Sequence, residues 1–493
     1  MTTSYQMYID GGFCDAEDGK RYESVNPATE EVWADFPEAT ANDVNRAVTA
    51  AHEAFTNGPW SRTSAAERGK VLRRIARELE AEGQELAVAE TTDTGKLLRE
   101  TRWQANNLAE IYDYYGGLAD KIEGRLPPVG PDAPLSMIIR EPLGVVAAIV
   151  PWNSQLHLAA FKIAPALAAG NTIVIKPSEF TSASTLEFAR LSEQAGFPPG
   201  VINVVTGFGA EAGDALVRHK LVRKVAFTGG EEGGVLVNTS AARDFKKVTL
   251  ELGGKSANIV FDDANLDQAV NGAISGIFAA SGQTCIAGSR LLLQDSIHDA
   301  FLERLVEMAA GAQIGDPMSA DTQVGPITTE AQYRKILDYI EIAKGEGARC
   351  VLGGGSATAP AGSRGLFVQP TIFADVTNDM RIAQEEVFGP VLSVLRFSDE
   401  EQAVEIANDV NYGLAAGVWT EGLRRAITMS ERLEAGTIWV NTYRSTSYTT
   451  PFGGYKASGL GRENGAEAIK EYLQVKSVWF HTGGDVANPY TRR

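Results

Sequence analysis

The chain has 493 residues, of which 44% are hydrophobic and 22% charged, and its formal net charge is −18. A single hydrophobic core stops growing at about 250 to 300 residues, so we expect two or three domains. The negative charge argues against nucleic acid or an anionic membrane as a partner.

The first residues, MTTSYQMYIDGG, lack the basic start and apolar run of a signal peptide. No window approaches the roughly 20 apolar residues that cross a bilayer. The three cysteines, Cys14, Cys285 and Cys350, are far apart, which is typical of a reducing compartment and not of a disulfide framework. We therefore expect a cytoplasmic protein that does not contact membranes.

Two helical patterns occupy the N-terminal part of the chain. Apolar residues recur at helical spacing over 41 to 55 and over 64 to 90. From Leu143 onward, apolar runs of strand length alternate with helical stretches, which include Ser154 to Ala169 and Ser182 to Gln194. The runs are LGVVAAIV, NTIVIKP, VINVVTG, KVAFTGG and KVTLELGG. Five strands with helices between them predict a doubly wound parallel sheet.

A second alternating set follows. It contains NIVFDD, a helix from Asp267 to Ala280, LLLQDS, a helix around Phe301 to Met308, VLSVLRF and TIWVNT. These elements predict a second α/β domain. Residues 124 to 141 and 472 to 481 read instead as extended arms, and arms that flank compact domains often pair across subunits.

Cys285 lies in the glycine-flanked stretch FAASGQTCIAG, residues 278 to 288. A thiolate attacks carbonyl carbon, but a free cysteine is only a few per cent ionised at pH 7. On a loop that precedes or opens a helix, backbone N–H groups would stabilise a thiolate and a neighbouring oxyanion. The alternative is a buried structural thiol.

Two further polar residues follow predicted strands. Glu251 ends a strand before Gly-Gly, at the sheet edge where such folds bind ligands, and suits a general base that activates water. The amide of Asn153, in PWN, suits an oxyanion donor. The alternatives are a cap or salt bridge for Glu251 and a helix N-cap for Asn153.

The stretch KPSE ends another predicted strand. Lys176 and Glu179 are placed to hydrogen-bond the vicinal hydroxyls of a ribose. The carboxylate would repel a 2′-phosphate, which favours NAD over NADP.

Together with EEVFGP at 385 to 390 and PFGGYKASGLGRENG at 451 to 465, the motifs PWN, KPSE, ELGGKS and GQTC resemble the aldehyde dehydrogenase superfamily in order and spacing. The resemblance covers nearly the whole chain and indicates the NAD-dependent, hydrolytic type that does not acylate CoA. It implies that Cys285 attacks the aldehyde, that Asn153 and the Cys285 N–H hold the oxyanion, and that Glu251 activates water against the thioester. Lys162 and Glu463 match a proton path from Glu251, with a surface ion pair as the alternative.

The resemblance also implies NAD as the cofactor and no metal ion. The implied cofactor contacts are Pro151, Trp152, Lys176, Ser178, Glu179, Gly209, Gly213, Phe227, Gly229, Gly230, Leu252, Glu386 and Phe388. The chain departs from the family in FTGGEEGG, where Gly230 replaces the usual serine and Glu231 stands where a neutral residue is common. This predicts weaker NAD affinity than in typical relatives, unless Glu231 points into solvent.

The implied fold is α/β and aldehyde dehydrogenase-like, with three parts. These are a Rossmann-type NAD-binding domain at 1–119 and 142–253, an α/β catalytic domain at 254–457, and a small extended oligomerisation element at 120–141 and 458–493. The element implies a homodimer or homotetramer.

One helix face is expected to line the aldehyde tunnel. It carries Ser154, His157, Leu158 and Phe161 at i, i+3, i+4 and i+7; core packing is the alternative. Thr284, Ile286, Phe452 and the stretch 443 to 448 complete the tunnel, with Arg444 at its mouth. We expect a medium-sized aromatic or polar aldehyde or a semialdehyde. The competing functions are a CoA-acylating aldehyde dehydrogenase, an NAD-independent thiol esterase and a non-enzymatic structural protein.

Overall fold

The computed structural model describes residues 2–129, 135–358, 364–481 and 488–490. Its helices are α1 (Ala41–Thr56), α2 (Ala65–Ala81), α3 (Gly83–Thr94), α4 (Leu98–Leu118), α5 (Gln155–Ala168), α6 (Ala183–Gln194), α7 (Asp214–Arg218), α8 (Glu231–Ala242), α9 (Leu266–Phe278), α10 (His298–Ala310), α11 (Glu330–Gly345), α12 (Arg381–Gln384), α13 (Glu400–Asn408) and α14 (Leu423–Arg432). Its strands are β1 (Thr3–Ser4), β2 (Met7–Ile9), β3 (Gly12–Cys14), β4 (Arg21–Asn26), β5 (Glu31–Pro37), β6 (Leu135–Pro142), β7 (Val145–Ile149), β8 (Thr172–Lys176), β9 (Ile202–Val204), β10 (Val222–Thr228), β11 (Lys247–Glu251), β12 (Ala257–Val260), β13 (Arg290–Gln294), β14 (Arg349–Leu352), β15 (Thr371–Ala374), β16 (Val391–Phe397), β17 (Tyr412–Gly413), β18 (Ala415–Trp419), β19 (Thr437–Val440), β20 (Tyr455–Lys456), β21 (Gly459–Leu460) and β22 (Leu473–Phe480).

The first large sheet has the order β21-β11-β10-β7-β8-β9-β2-β3 in the described part of the chain. Its central strands β11, β10, β7, β8 and β9 are parallel, which confirms the doubly wound sheet expected from the five apolar runs. Strand β7 lies between β8 and β10, so the winding reverses beside it. Ligands of such sheets bind in the crevice outside the carboxyl ends of the strands at this reversal.

The second large sheet has the order β14-β15-β16-β13-β12-β18-β19. Its strands pair in parallel except β14, which runs antiparallel to β15. The second α/β unit predicted from sequence is thus confirmed. Apolar side chains are buried on both faces of each large sheet, which fixes the position of the strand ends that carry the polar residues discussed below.

The helix predicted over 64 to 90 is two helices, because the chain leaves helical geometry at Glu82 (φ −100°, ψ 11°) between α2 and α3. The apolar spacing continues across this break, so periodicity alone predicted one helix, and that prediction was wrong. None of the helices in the described ranges combines the length and the apolar character needed to cross a bilayer.

The two predicted arms contain β6 and β22, which pair with each other. The ladder is antiparallel and runs from Leu135 opposite Phe480 to Pro142 opposite Leu473. The arms therefore meet within one chain, although they are more than 300 residues apart. Parts of the predicted oligomerisation element, 130–134, 482–487 and 491–493, lie outside the described residues, and the division into three domains stays a prediction.

Candidate active site

The cysteine loop begins with three consecutive residues in the left-handed region, Ala280 (φ 53°), Ser281 (φ 52°) and Gly282 (φ 71°). The N–H of Ala280 donates to Oε1 of Glu100 at 2.9 Å, and Oγ of Ser281 donates to the carbonyl of Gly325 at 2.9 Å. A Cβ atom on Gly282 would clash with the carbonyl of Gly389. Strained backbone of this kind persists only where its surroundings hold it, and it is frequent at functional sites.

Cys285 itself lies in a turn that leads into β13, with the N–H of Ala287 donating to the carbonyl of Thr284 at 3.1 Å. No helix begins here, so the expected stabilisation by a helix start was wrong. Burial and the nearby carboxylates of Glu386 and Glu251 raise the pKa of the Cys285 thiol to about 12, against an opposing effect of a neighbouring guanidinium. The thiol is therefore protonated at neutral pH and needs a proton acceptor before it can attack.

Asn153 lies beside this turn. Its Nδ2 donates to the carbonyl of Gln283, two residues before the cysteine, at 2.9 Å. Gln283 is itself fixed, since its Oε1 accepts from the N–H of Thr328 at 2.9 Å and its Nε2 donates to the carbonyl of Pro326 at 3.2 Å. Asn153 is not a helix cap, because Ser154 occupies that position of α5. The sheet edge and the cysteine loop thus bring the amide and the thiol together.

Glu251 is the last residue of β11 and is paired with Thr228 of β10. Its side chain is buried, and neither carboxyl oxygen has a hydrogen-bond partner among the described residues. Burial, followed by the negative charge of Glu463, raises the pKa of Glu251 well above its usual value. A carboxyl group with free oxygens and a raised pKa can take a proton from water or from a thiol near neutral pH.

Lys162 and Glu463 form an ion pair inside the protein, with Nζ 2.5 Å from Oε1 and both side chains almost fully buried. Nζ also donates to Oγ1 of Thr228 at 2.6 Å. Because Thr228 lies opposite Glu251, the pair adjoins the carboxyl group and is not a surface ion pair. Its charges act on Glu251 in opposite directions, since Glu463 raises the pKa of Glu251 and Lys162 lowers it.

Glu386 and the backbone of the ELGG stretch meet beside the cysteine. Oε1 of Glu386 accepts from the N–H of Gly254 at 3.0 Å. A Cβ atom on Gly254 would lie 2.7 Å from the carbonyl oxygen of Cys285, so glycine permits this close approach. The ring of Phe388 stands edge-on to that of Trp152, with centroids 5.3 Å apart. Trp152 directly follows Pro151, and the charge of Glu386 acts on the Cys285 thiol.

The end of β8 carries a second polar group. Nζ of Lys176 donates to Oε2 of Glu179 at 3.2 Å and to the carbonyl of Pro177 at 2.9 Å. The N–H of Ser178 donates to Oε1 of Gln155 at 3.1 Å, which fixes the turn. The irregular helical turn Gly209–Gly213 lies alongside, and a Cβ atom on Gly213 would be 3.7 Å from Cδ of Lys176.

The N-terminus of α8 opens onto the same crevice. Gly230 is its N-cap residue, and a Cβ atom there would meet nothing within 4 Å. The ring of Phe227 fills the space beside Gly229, while Leu252 packs against Gly234. Free backbone N–H groups at a helix N-terminus bind phosphate. With the carboxylate and lysine at the end of β8, these residues fit the pyrophosphate and ribose of a dinucleotide.

Glu231 bears on the predicted weakness of NAD binding. The side chain is exposed, and its Oε2 accepts from the hydroxyl of Tyr412 at 2.9 Å. Glu231 is therefore not free in solvent, and weaker NAD binding stays a prediction.

The face of α5 that was expected to line a tunnel carries polar residues as well as residues that pack in the hydrophobic core. The rings of His157 and Phe161 meet at 4.8 Å in an edge-on contact. Burial, followed by the charge of Lys96, lowers the pKa of His157 to about 4, so the ring is neutral at pH 7. Leu158 and Phe161 also pack on the core of the first domain, as the core-packing alternative expects.

The remaining predicted tunnel residues include Ile286 and Phe452, which share an apolar cluster with Cys285. The carbonyl of Ile286 accepts from the hydroxyl of Tyr443 at 3.2 Å. The N–H of Phe452 donates to the carbonyl of Glu463 at 2.7 Å, and this isolated bridge connects Phe452 to the buried ion pair. Thr284 is the first residue of the cysteine turn. In the described part of the chain, no group of three His, Cys, Asp or Glu side chains is arranged to hold a metal ion.

Three residues that sequence analysis missed lie against the same space. Glu100 and Gln104 are four residues apart on one face of α4, and Lys96 lies just before this helix. Lys96 donates through Nζ to Oγ of Ser154, and Gln104 donates through Nε2 to the same oxygen at 3.1 Å. Their spacing is visible in KLLRETRWQ, but it is also the spacing of an ordinary solvated helix face.

Comparison with known proteins agrees with this geometry. The model of the family described as "Aldehyde dehydrogenase family" matches residues 13–478. A (Z)-2-((N-methylformamido)methylene)-5-hydroxybutyrolactone dehydrogenase from Acinetobacter baylyi is 47% identical over 99% of both chains, and a betaine aldehyde dehydrogenase from Bacillus subtilis is 45% identical over 97% of this chain and 98% of that one. The solved structure of an NAD+ complex of aldehyde dehydrogenase from Bacillus cereus has a TM-score of 0.95 at 44% identity and covers 97% of both chains.

Proposed function

The chain belongs to the aldehyde dehydrogenase family, and from this premise we propose that it oxidises an aldehyde to the carboxylic acid with NAD. The observation that carries the proposal is the convergence of three groups from separate elements. The Asn153 amide is hydrogen-bonded to Gln283, just before the Cys285 turn, and the charge of the unpartnered Glu251 carboxyl group acts on the Cys285 thiol.

In the first step the Cys285 sulfur forms a bond to the aldehyde carbon, and the carbonyl oxygen becomes an oxyanion. The thiol proton leaves to Glu251, whose raised pKa makes its ionised form a strong acceptor. The Asn153 amide and the backbone N–H of Cys285 donate to the oxyanion, which stabilises the tetrahedral thiohemiacetal. Loss of hydride from this carbon then gives a thioester on Cys285.

In the second step water attacks the thioester carbon. Before this step Glu251 passes the thiol proton to the Lys162–Glu463 pair, which adjoins its carboxyl group and is itself hydrogen-bonded to Thr228. The ionised Glu251 then takes the proton of the water, and the carbon–sulfur bond breaks to release the carboxylic acid. The departing thiolate takes that proton back from Glu251, which restores the thiol.

The cofactor is proposed to lie along the carboxyl ends of β7, β8 and β10. NAD supplies the acceptor for the hydride that leaves the thiohemiacetal carbon. Lys176 and Glu179 would hold the adenosine ribose, and the α8 N-terminus at Gly230 would hold phosphate. Glu386 and Phe388 would hold the nicotinamide end, where Gly254 fixes Glu386.

The substrate is proposed to be a medium-sized aromatic or polar aldehyde or a semialdehyde. Support comes from the mixed character of α5, where the His157 ring contacts the Phe161 ring and Oγ of Ser154, just before the helix, accepts from Lys96 and Gln104. A preference for acetaldehyde over hexanal, benzaldehyde and succinic semialdehyde would rule this out.

We also propose a cytoplasmic homodimer or homotetramer. The β6–β22 ribbon exposes Val475, Trp479 and Phe480, and an exposed strand with apolar side chains readily pairs with another chain. Free Cys14, Cys285 and Cys350 favour a reducing compartment.

The experiment that tests the function is NADH production across this aldehyde panel by the wild type and by Cys285→Ser. We expect NADH from the wild type, at least a thousandfold lower rate in the variant, and no gain when CoA is added. Absence of NADH with every aldehyde would overturn the proposal, and a strong rate gain with CoA would replace hydrolysis by CoA acylation.

A further inference from the structure

Two cationic side chains lie beside the cysteine loop without an ion-pair partner. Arg444 follows β19, and its Nη1 donates to the carbonyl of Ala279 at 3.3 Å. Lys96 approaches from the other domain and donates to Oγ of Ser154. In the described part of the chain, neither cation lies within 4 Å of a carboxylate oxygen, whereas many surface lysines and arginines do.

Both cationic side chains lie close to the Cys285 thiol. Ala279, which Arg444 contacts, is six residues before Cys285, and Ser154, which Lys96 contacts, directly follows Asn153. The electrostatic couplings agree with this placement, because Arg444 lowers the pKa of the Cys285 thiol and also lowers the pKa of Lys96.

The carboxylates nearby do not form direct ion pairs with these two cations. Glu100 acts electrostatically on both of them, but one of its oxygens accepts from the N–H of Ala280 at 2.9 Å and the other has no hydrogen-bond partner among the described residues. Glu90 is enclosed, and burial raises its pKa, which favours the neutral acid. A buried cation without a direct ion-pair partner is costly, so an anionic group that contacted both side chains would be stabilised there.

We propose that the substrate is an aldehyde that carries a carboxylate, and that Arg444 and Lys96 bind this carboxylate while the aldehyde carbon reaches Cys285. This inference rests on the proposed function and narrows it to semialdehydes of dicarboxylic acids. The guanidinium offers a planar fork of N–H donors that matches a carboxylate, and it has donors to spare after its bond to Ala279. The Nζ of Lys96 adds a point charge. His157 and Phe161 form the wall along which the connecting carbons lie.

The test compares kcat/KM for succinic semialdehyde, neutral pentanal and cationic betaine aldehyde in the wild type, Arg444→Gln and Lys96→Met. We expect the wild type to prefer the semialdehyde at least tenfold over pentanal and to use betaine aldehyde least. A hydrogen bond to a charged group contributes more to binding than one between neutral groups. In each variant we therefore expect kcat/KM to fall roughly 10- to 100-fold for the semialdehyde and less than about threefold for pentanal. Arg444→Lys should restore part of the loss.

The control variant is Arg102→Gln, an exposed residue on the opposite side of α4, which should leave all three values unchanged. The rate of thiol alkylation by iodoacetamide provides a separate readout. Equal losses on the semialdehyde and on pentanal, with slower alkylation, would show that the cations serve the thiol and would overturn the inference. A wild type that prefers pentanal would overturn it as well. A wild type that oxidises pentanal without preferring the semialdehyde would still support the proposed function. Failure of this inference is therefore distinguishable from failure of the proposed function.

Discussion

Lys162 and Glu463 form a 2.5 Å ion pair that is enclosed by the protein and lies next to the carboxyl group of Glu251. The two partners come from α5 and from the segment after β21, so this contact depends on the complete fold. The proposed base Glu251 therefore has two charged neighbours of opposite sign. Removal of one neighbour should lower the pKa of Glu251, and removal of the other should raise it.

The first prediction concerns the removal of the negative partner. The base form of Glu251 exists above its pKa, so hydrolysis is fully active at high pH and is lost as pH falls through that raised value. Glu463 raises this pKa and Lys162 lowers it. In Glu463→Gln we therefore expect the rising limb of kcat against pH to move to lower pH, with a lower plateau because the proton path is cut. The exposed Glu467→Gln is the control, and an unmoved limb in Glu463→Gln would contradict the account.

The second prediction concerns the removal of the positive partner, which should shift the pKa of Glu251 in the opposite direction. Lys162→Met removes the charge that lowers the pKa of Glu251 and leaves Glu463 buried without its partner. We expect the rising limb to move to higher pH and the free energy of unfolding to fall by about 3 to 5 kcal/mol, the usual cost of breaking a buried pair. Urea denaturation measures the second effect. A shift of the limb to lower pH would refute the assigned coupling.

The third prediction concerns NAD affinity. A serine side chain at position 230 has open space and would add a hydroxyl donor at the α8 N-terminus. Gly230→Ser should lower the Kd for NAD by roughly 2- to 10-fold, the worth of one hydrogen bond. Isothermal titration calorimetry measures this, and an unchanged Kd would refute the prediction.

The fourth prediction separates charge from hydrogen bonding at the neighbouring residue. Glu231→Gln keeps an acceptor for the hydroxyl of Tyr412 but removes a negative charge near the phosphate site. We expect tighter NAD binding whose gain shrinks at high salt, because exposed charges are screened. Glu232→Gln, on the same helix, serves as the comparison; equal gains in both variants would show only a general charge effect.

The fifth prediction concerns the left-handed turn before the cysteine. Gly282→Ala places a Cβ atom against the carbonyl of Gly389 at a positive φ. We expect the free energy of unfolding to fall by about 2 to 5 kcal/mol and kcat to fall at least tenfold. Gly345→Ala, where a Cβ meets nothing within 4 Å, should change stability by at most about 1 kcal/mol. Equal effects in the two variants would contradict a specific role of the turn.

Strand ends were predictable from sequence because apolar runs mark buried parallel strands. Asn153, Lys176 and Glu251 each follow or end such a run, and the structure places them at one edge of the first sheet. Local pattern and the rule that ligands bind at that edge made these residues candidates, while the roles expected for them came from the resemblance to the aldehyde dehydrogenase superfamily.

The remaining features depend on long-range packing. The raised pKa of Cys285 arises first from burial and then from Glu386 and Glu251, which are distant in sequence, so the local loop predicted the wrong sign of the pKa change. Lys96 and Arg444 are almost 350 residues apart in the chain and act on each other and on Cys285, and no single segment contains that information. The pairing of β6 with β22 likewise joins ends of the chain that sequence alone left as separate arms.

The central claim is a covalent thioester on Cys285 whose hydrolysis needs Glu251. Rapid mixing of Glu251→Gln with NAD and an accepted aldehyde, followed by intact-protein and peptide mass spectrometry, tests it most directly. The account predicts a burst of about one NADH per subunit, little further turnover, and an acyl group on the Cys285 peptide that is absent from the double variant with Cys285→Ser. Wild-type steady turnover in Glu251→Gln, or a burst without any acylated cysteine, would contradict it.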